Sequence, residues 1–124
     1  MIIGIGTDII EVERVKSVID KYGIRFLTRV FTQLEQEYCE MFGDKKYLHY
    51  AARFAAKESF SKAIGTGITE GFKFNEVGII NNNNGKPDLV LTGLLFDKYS
   101  QYKTTVSLSH TDNYAVAYVI MEEL

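Results

Sequence analysis

Residues 53–65 read RFAAKESFSKAIG, and this stretch indicates a long, part-buried helix on which the rest of the fold depends. It contains no proline, and its single glycine, Gly65, comes at its end. Both features favour a helix. We predict that this helix extends from about Lys45 to Ile64, which is roughly 30 Å at 1.5 Å per residue.

Four charged side chains within the stretch are placed at helical spacing. Arg53 and Lys57 are four residues apart, as are Glu58 and Lys62, so each pair lies on one helix face. One carboxylate among three cations suits a divalent metal with phosphate groups, because the metal requires carboxylates and a polyphosphate requires Lys and Arg. The other interpretation is an ordinary Glu–Lys pair on a solvated face, worth about 0.3 kcal/mol. The stretch alone favours that second interpretation, and the rest of the chain adds support for the metal and phosphate site.

The length and composition predict a single domain over residues 1–124. Of the 124 residues, 46% are hydrophobic, which is enough for a real core. A net charge of −2 argues against a nucleic-acid partner. Cys39 is the only cysteine, so no disulfide forms within the chain, as in a cytoplasmic protein. The apolar segments at 1–10 and 114–121 are too short to span a membrane, and the first lacks the basic leader of a signal peptide.

Apolar periodicity, glycines and capping patterns predict an α+β fold, with a mostly antiparallel sheet packed by a long helix and shorter helices. Thr32 and Glu35 have the spacing of a capping box, and Leu34, Tyr38 and Met41 form the apolar line of the helix that follows. The elements expected are a strand over 1–7, a helix over 10–22, a short helix at 26–31, a helix from residue 32, the long helix, a glycine-rich connection over 65–71, a strand over 72–80 bent near Asn75, a strand over 89–91, a helix over 92–102, and antiparallel strands over 104–109 and 114–121.

Asp8 follows the first predicted strand and has two interpretations. It is a natural N-cap for the next helix, with Glu11 at the capping-box position. It is also suited to bind a metal at a strand terminus. Mg²⁺ takes one or two protein carboxylates, and substrate phosphates and waters complete its shell. Asp8 and Glu58 together would form that minimal set.

Three further segments contain polar groups that suit anion binding. Ser109, His110 and Thr111 end a predicted strand, where His110 is either a packed residue with one hydrogen bond or a donor to phosphate. The turn Asn84–Pro87, NGKP, could present backbone N–H groups to a phosphate. The early helices are locally basic through Arg14, Arg25 and Arg29 among others, which indicates either an acidic partner or ordinary surface charge. The sequence has no Walker loop, GxGxxG motif, zinc-ligand spacing or GxSxG elbow.

These segments occur in one order over nearly the whole chain. GxD ending at Asp8 with Arg14 downstream, RFAAKESFSKAIGTG at 53–67, NGKP at 84–87 and SLSHT at 107–111 together resemble the holo-(acyl carrier protein) synthase family. This family is the short class of the 4′-phosphopantetheinyl transferases. Each motif alone is weak, and the set at this spacing is specific.

The resemblance implies an enzyme that serves fatty acid biosynthesis. It transfers the phosphopantetheine arm of coenzyme A to a serine of apo acyl carrier protein, releases 3′,5′-ADP, requires Mg²⁺ and forms homotrimers with sites between subunits. Asp8 and Glu58 match the family's metal ligands, and Arg14 with the following basic region, including Arg25 and Arg29, matches its docking surface for the carrier protein. The positions that match the coenzyme A site are Arg53, Lys62, Gly65, Asn84, Gly85, Pro87, Ser109, His110 and Thr111.

The chemistry of these residues agrees with the resemblance. Lys62, one turn beyond Glu58, would offset charge on the transferring or leaving phosphate, so Asp8, Glu58 and Lys62 form the expected catalytic set. Arg53 could hold the separate 3′-phosphate. The proton acceptor stays open between Glu58 and a metal-bound water, with His110 a weaker candidate. Two other functions stay open: a non-catalytic module that binds an acidic protein, and a coenzyme A binder without transfer activity.

Overall fold

Helix α4 (Lys46–Ala63) is the central element of the structure, a computed structural model that describes residues 1–69 and 71–124. Eleven of its eighteen residues are buried. The other elements, in chain order, are β1 (Ile2–Glu11), α1 (Val12–Tyr22), α2 (Ile24–Val30), α3 (Gln33–Glu40), a 3₁₀ turn (Gly43–Lys45), α4, a 3₁₀ turn (Phe74–Glu76), β2 (Val77–Asn81), β3 (Pro87–Leu91), α5 (Gly93–Tyr99), β4 (Tyr102–His110) and β5 (Tyr114–Glu123).

The strands form two antiparallel sheets. One has the order β1-β5-β4, and β2 pairs with β3 in the other. Asp8 lies opposite Ala117, which in turn lies opposite Leu108, so these residues form one row across the larger sheet. The predicted α+β class is confirmed, and the strands are divided between two sheets.

Helix α4 lies unusually close to β1 because two glycines face it. A Cβ atom added to Gly4 would overlap the Ala63 carbonyl, and one added to Gly6 would overlap the Ser59 carbonyl. The Ser59 hydroxyl donates to the Ala117 carbonyl at 3.1 Å and so joins the helix to β5 as well. Because side chains on a strand alternate between faces, Asp8 faces the same side as these glycines, toward α4.

A buried ion pair fixes the opposite side of α4. The Lys57 ammonium donates to Glu35 Oε1 at 2.7 Å and to the carbonyls of Phe74 and Val77. Glu35 also accepts the backbone N–H of Ile79 at 3.0 Å. Lys57 is therefore a core residue, and grouping it with the cations around Glu58 was wrong.

Several predicted boundaries were also wrong. β1 continues to Glu11, so Asp8 lies within the strand, and Glu11, which makes no side-chain cap, precedes α1. The capping box of Thr32 and Glu35 is confirmed, although the apolar line of α3 is not, because Leu34 and Met41 are exposed.

The later elements differ as well. The strand predicted over 72–80 begins only at Val77, because the expected bend near Asn75 is a 3₁₀ turn. The predicted connection over 65–71 includes Glu70, which lies outside the described residues. α5 ends at Tyr99, three residues earlier than predicted. Within residues 1–69 and 71–124, no helix has the length and apolar character needed to cross a membrane.

Candidate active site

Asp8 and Lys62 meet between β1 and the last turn of α4. The Lys62 ammonium lies 3.3 Å from Asp8 Oδ1 and donates to the Thr7 carbonyl at 2.9 Å. The Asp8 side chain is 20% exposed and that of Lys62 is 51% exposed, so the pair is open to solvent on one side. Lys62 thus forms its ion pair across the helix–strand interface, rather than with Glu58 one turn earlier on the same helix.

Glu58 lies in the electrostatic field of this pair. Partial burial raises the pKa of its carboxyl, the Asp8 carboxylate raises it further, and Lys62 lowers it. The like charge of Asp8 affects Glu58 because the two carboxylates share one part of the molecule. The structure therefore brings together the three residues predicted to be catalytic.

Asp8 and Glu58 are the carboxylates available to a metal ion at this place, and their small number indicates which metal would suit the site. In the described part of the chain, no cluster of three or more His, Cys, Asp or Glu side chains is arranged to hold a metal ion. A pair of carboxylates in which Asp8 raises the pKa of Glu58 is suited to a divalent cation that takes its remaining ligands from phosphates and water. Mg²⁺ has this preference, and Zn²⁺ sites take three or four protein ligands.

Arg53 belongs to a second group of residues, on another side of α4. Its Nη2 donates to Asn81 Oδ1 at 2.6 Å, and Asn81 Nδ2 donates to the Gly85 carbonyl at 3.0 Å. The guanidinium lies over the Tyr38 ring, 4.1 Å from its centroid. Asn81 thus joins Arg53 to the β2–β3 turn that contains Asn84 and Gly85.

The turn itself is organised by Asn82. Its Oδ1 accepts the backbone N–H groups of Asn84 and Lys86 at 2.9 and 3.1 Å. Gly85 has φ of 82°, a conformation that favours glycine, and Pro87 begins β3. The backbone N–H of Asn84 therefore forms a hydrogen bond within the turn, while its side chain is exposed.

His110 lies at the end of β4, near the same side of α4 as Arg53. Its ring is 5.9 Å from that of His49, and His49 stacks on Phe42 at 3.7 Å. Ser109 alternates to the other face of the sheet. The Thr111 hydroxyl accepts the backbone N–H of Tyr114 at 3.1 Å, so it stabilises the β4–β5 turn.

The predicted site residues thus form two groups in one chain. The first group is Asp8, Glu58 and Lys62, with Gly65 just beyond the end of α4. The second is Arg53 with the β2–β3 turn and His110. Arg53 and Glu58 are five residues apart, so they point in directions roughly 140° apart around the helix.

Sequence reasoning gave no functional role to Asn81, Asn82, Tyr38 or His49. Consecutive asparagines favour a turn, but nothing in the run Asn81–Asn84 distinguishes the asparagine that contacts Arg53. His49 offered a stronger signal, because it precedes Arg53 by four residues and so shares its helix face.

The basic helices form the wall of two surface cavities. Arg25 and Arg29 of α2 line a groove of about 830 Å³ together with Phe72, Lys73 and Phe74. The same arginines line a smaller cavity of about 410 Å³ with residues of α1, including Val18 and Tyr22. Arg14 lies on the Val18–Tyr22 stripe at the i, i+4, i+8 spacing.

Comparisons with known proteins agree with this fold and site. The sequence pattern of the 4′-phosphopantetheinyl transferase superfamily matches residues 4–119. A holo-[acyl-carrier-protein] synthase of Protochlamydia amoebophila is 47% identical over 120 residues, which is 97% of this chain and 98% of that protein.

Solved structures of the same type superpose closely. The holo-[acyl-carrier-protein] synthase of Neisseria meningitidis has a TM-score of 0.88 at 34% identity, over 99% of this chain and all of that one. The Bacillus anthracis synthase, in complex with coenzyme A (3′,5′-ADP), has a TM-score of 0.84 at 36% identity, over 100% and 99% of the two chains.

The fold and site therefore define a small α+β transferase in which paired carboxylates lie beside a lysine. The chain belongs to the 4′-phosphopantetheinyl transferase superfamily, and the resemblance in its motifs is confirmed.

Proposed function

We propose that the protein transfers the 4′-phosphopantetheine group of coenzyme A to a serine hydroxyl of an apo acyl carrier protein, for fatty acid biosynthesis. The observation that carries this proposal is the meeting of Asp8, Glu58 and Lys62 at the interface of β1 and α4. No activated Ser or Cys is required of this chain, because the nucleophile belongs to the carrier protein. The single buried cysteine and the lack of an internal disulfide support a cytoplasmic location.

Asp8 and Glu58 are proposed to hold Mg²⁺. Both are acidic, both have part of their surface accessible, and their mutual repulsion is relieved by a cation between them. When bound, Mg²⁺ supplies a positive charge that stabilises the pyrophosphate oxygens during transfer.

Lys62 is proposed to offset charge on the phosphate that is transferred or released. Its ammonium is half exposed and held near Asp8, so it can reach an anion in the same space. Loss of this charge should lower the turnover number more than the affinity for coenzyme A, because the charge develops during the reaction. Lys62→Met, which keeps the aliphatic length, tests this by comparing kcat with KM.

The second group of residues is proposed to bind the nucleotide part of coenzyme A. Arg53 contributes a cation, and the β2–β3 turn and His110 contribute polar groups. Because the two groups point to different sides of α4, we propose that a complete site combines the first group of one subunit with the second group of another.

The outer face of the larger sheet supports this assembly as a homo-oligomer, for which the family resemblance indicates a trimer. The apolar residues on this face have no cover within the described chain: Ile5 is 62% exposed, Ile9 66% and Tyr118 51%. An exposed apolar sheet face of this kind is typical of a protein interface. Burying it against a second copy would remove about 25 cal/mol per Å² of apolar surface from contact with water.

The carrier protein is proposed to dock on the basic cavities next to α2. Arg14, Arg25 and Arg29 supply positive charge, and Phe72 and Phe74 supply apolar contact. An acidic, amphipathic helix matches both properties, because its carboxylates meet the arginines while its apolar stripe enters the groove.

Intact-mass measurement tests the proposed function. The protein is incubated with coenzyme A, Mg²⁺ and an apo acyl carrier protein, and we expect the carrier protein to gain the mass of one phosphopantetheine. The matched control is a carrier protein whose acceptor serine is replaced by alanine. Tight binding of the carrier protein without a mass gain would indicate a non-catalytic module. Coenzyme A binding without a mass gain would indicate a binder that lacks transfer activity.

A further inference from the structure

Arg53 is a buried cation that forms no ion pair in the described chain. The residue is 2% exposed, its Nη2 contacts the neutral Asn81 amide, and its Nε has no hydrogen-bond partner. The Tyr38 ring at 4.1 Å compensates part of the charge. A buried charge without a counter-ion is costly, and an unpaired buried donor adds to that cost, so Arg53 is suited to bind an anion.

Two imidazoles lie at the solvent side of this cation. His49 precedes Arg53 by four residues, so both are on one face of α4. His110 reaches the same place from the end of β4, with its ring 5.9 Å from that of His49. His49 is half-buried and His110 is exposed, so a ligand can approach the imidazoles while Arg53 lies behind them.

The charges around His49 are all positive or neutral. The groups that face it are Arg53 on its own helix, His110 from β4, and the rings of Tyr38 and Phe42. Burial lowers the pKa of His49, and the Arg53 guanidinium and His110 lower it further. His49 is therefore held in its neutral form near pH 7 unless an anion arrives to compensate the guanidinium.

We propose that His49 makes this cluster a proton-linked phosphomonoester site, in which binding of the 3′-phosphate of coenzyme A is accompanied by proton uptake from solvent at the His49 imidazole. This inference rests on the proposed function and adds a residue and a pH dependence to it. The phosphate carries close to two negative charges at neutral pH. It would offset Arg53 and stabilise the imidazolium, which then donates a charge-assisted hydrogen bond.

Proton uptake at His49 also affects product release. Coenzyme A and the leaving product 3′,5′-ADP both carry the 3′-phosphate, so both are bound with proton uptake. Affinity for both should fall as the pH rises above neutrality, because binding that is coupled to proton uptake weakens as the proton concentration falls. Dephospho-coenzyme A, which lacks the 3′-phosphate, should show neither effect.

Imidazole NMR provides a direct test, because the protein has only two histidines. The ¹⁵N chemical shifts of both rings are followed from pH 5 to 9 in the free protein, with 3′,5′-ADP and with 5′-AMP as the matched nucleotide without a 3′-phosphate. We expect 3′,5′-ADP to raise the His49 titration midpoint by about one pH unit and 5′-AMP to leave it unchanged. An unchanged midpoint with 3′,5′-ADP bound would overturn the proposal.

A second measurement uses variants. His49→Phe preserves ring packing on Phe42 but cannot take up a proton, and His49→Gln serves if that variant does not fold. We expect the affinity of the wild-type protein for 3′,5′-ADP to weaken about two- to threefold between pH 6.5 and 8.5, and the variant to show a clearly smaller change. Equal pH dependence in both proteins would contradict a role for His49.

The mass assay separates this inference from the proposed function. The carrier protein could gain phosphopantetheine while 3′,5′-ADP leaves the His49 titration midpoint unchanged. In that case the proposed proton linkage is wrong and the proposed transfer activity is supported. If no mass gain and no 3′,5′-ADP binding are found, both proposals fail.

Discussion

The Lys57 ammonium lies 2.7 Å from Glu35 Oε1, and both side chains are completely buried. Every hydrogen-bonding position of the ammonium is used, since it also donates to the carbonyls of Phe74 and Val77. The pair therefore connects α3, α4 and the start of β2. Because Lys57 directly precedes Glu58, this contact also sets the rotation of α4 that turns Glu58 toward Asp8.

Lys57→Met should destabilise the protein by about 3–5 kcal/mol, because it leaves the Glu35 carboxylate buried without a counter-ion. The double variant Glu35→Leu with Lys57→Met should recover much of this loss, since it removes both charges. Urea unfolding followed by circular dichroism measures the difference. Lys45→Met, at an exposed position, is the matched control. A single variant as stable as the wild type would show that the pair does not stabilise the fold.

Gly6→Ala should be far more damaging than Gly78→Ala, although both remove a glycine from a strand. The new methyl group at position 6 would overlap the Ser59 carbonyl, and backbone cannot move aside without separating β1 from α4. At position 78 it would lie 3.3 Å from Thr32 Cγ2, where a side chain can adjust. We expect a loss of about 3 kcal/mol or failure to fold for the first and under about 1 kcal/mol for the second. Thermal unfolding compares them, and similar costs would show that close packing of β1 is not essential.

The sequence predicted the parts of the fold that local patterns specify. Helix α4 was predicted within one or two residues at each end, and the capping box of Thr32 and Glu35 was confirmed, because helix periodicity and capping are local. The strand predicted over 1–7 ended too early, because Asp8 is a polar residue after an apolar run and so resembles a strand end. Pairing with β5 extends β1 to Glu11, and that pairing is a long-range property.

The candidate site was predictable in its residue types and less so in its arrangement. Spacing placed Glu58 and Lys62 on one face, but the partner of Lys62 is Asp8, more than fifty residues away. The same spacing argument wrongly placed Lys57 beside them, because periodicity alone cannot distinguish a buried cation from an exposed one. The contact between Arg53 and Asn81 joins elements 28 residues apart and has no local signal.

Asp8→Asn and Glu58→Gln should each abolish transfer and also abolish stabilisation of the protein by Mg²⁺. A ligand that binds only the folded state raises the free energy of unfolding by RT ln(1 + [L]/Kd). We therefore expect millimolar Mg²⁺ to raise the Tm of the wild-type protein and to leave both variants unchanged. Asp112→Asn, an exposed aspartate in the β4–β5 turn, is the control and should respond like the wild type. An Mg²⁺ response in all four proteins would place the metal elsewhere.

Glu58→Gln should stabilise the metal-free protein at pH 7 and have little effect near pH 4. Burial, and then the neighbouring Asp8, raise the pKa of the Glu58 carboxyl in the folded state. The folded state therefore holds its proton more tightly than the unfolded state, so stability is highest below the unfolded pKa and falls as the pH rises through the folded pKa. Urea unfolding in EDTA at several pH values measures this, with Glu37→Gln on the exposed face of α3 as the control. A difference between variant and wild type that does not change with pH would contradict it.

Mixing two inactive variants should restore transfer if each site combines residues of two subunits. Asp8→Asn disables the first group of residues, and Arg53→Gln disables the second. A mixed oligomer contains some interfaces where the intact first group of one subunit meets the intact second group of its neighbour. Random assembly at equal concentrations should make about one quarter of the sites complete, since each site has two independent halves.

The activity of the mixture, after the subunits have been dissociated and reassembled together, measures this fraction. Each variant treated alone is the control, and His110→Gln, at an exposed position, replaces Arg53→Gln if that buried substitution prevents folding. Ile9→Asp, on the exposed sheet face, should separate the subunits in analytical ultracentrifugation and prevent the recovery. Activity that stays at the level of the separate variants, in a mixture shown to contain mixed oligomers, would mean that each chain holds a complete site despite the roughly 140° between Arg53 and Glu58 around α4.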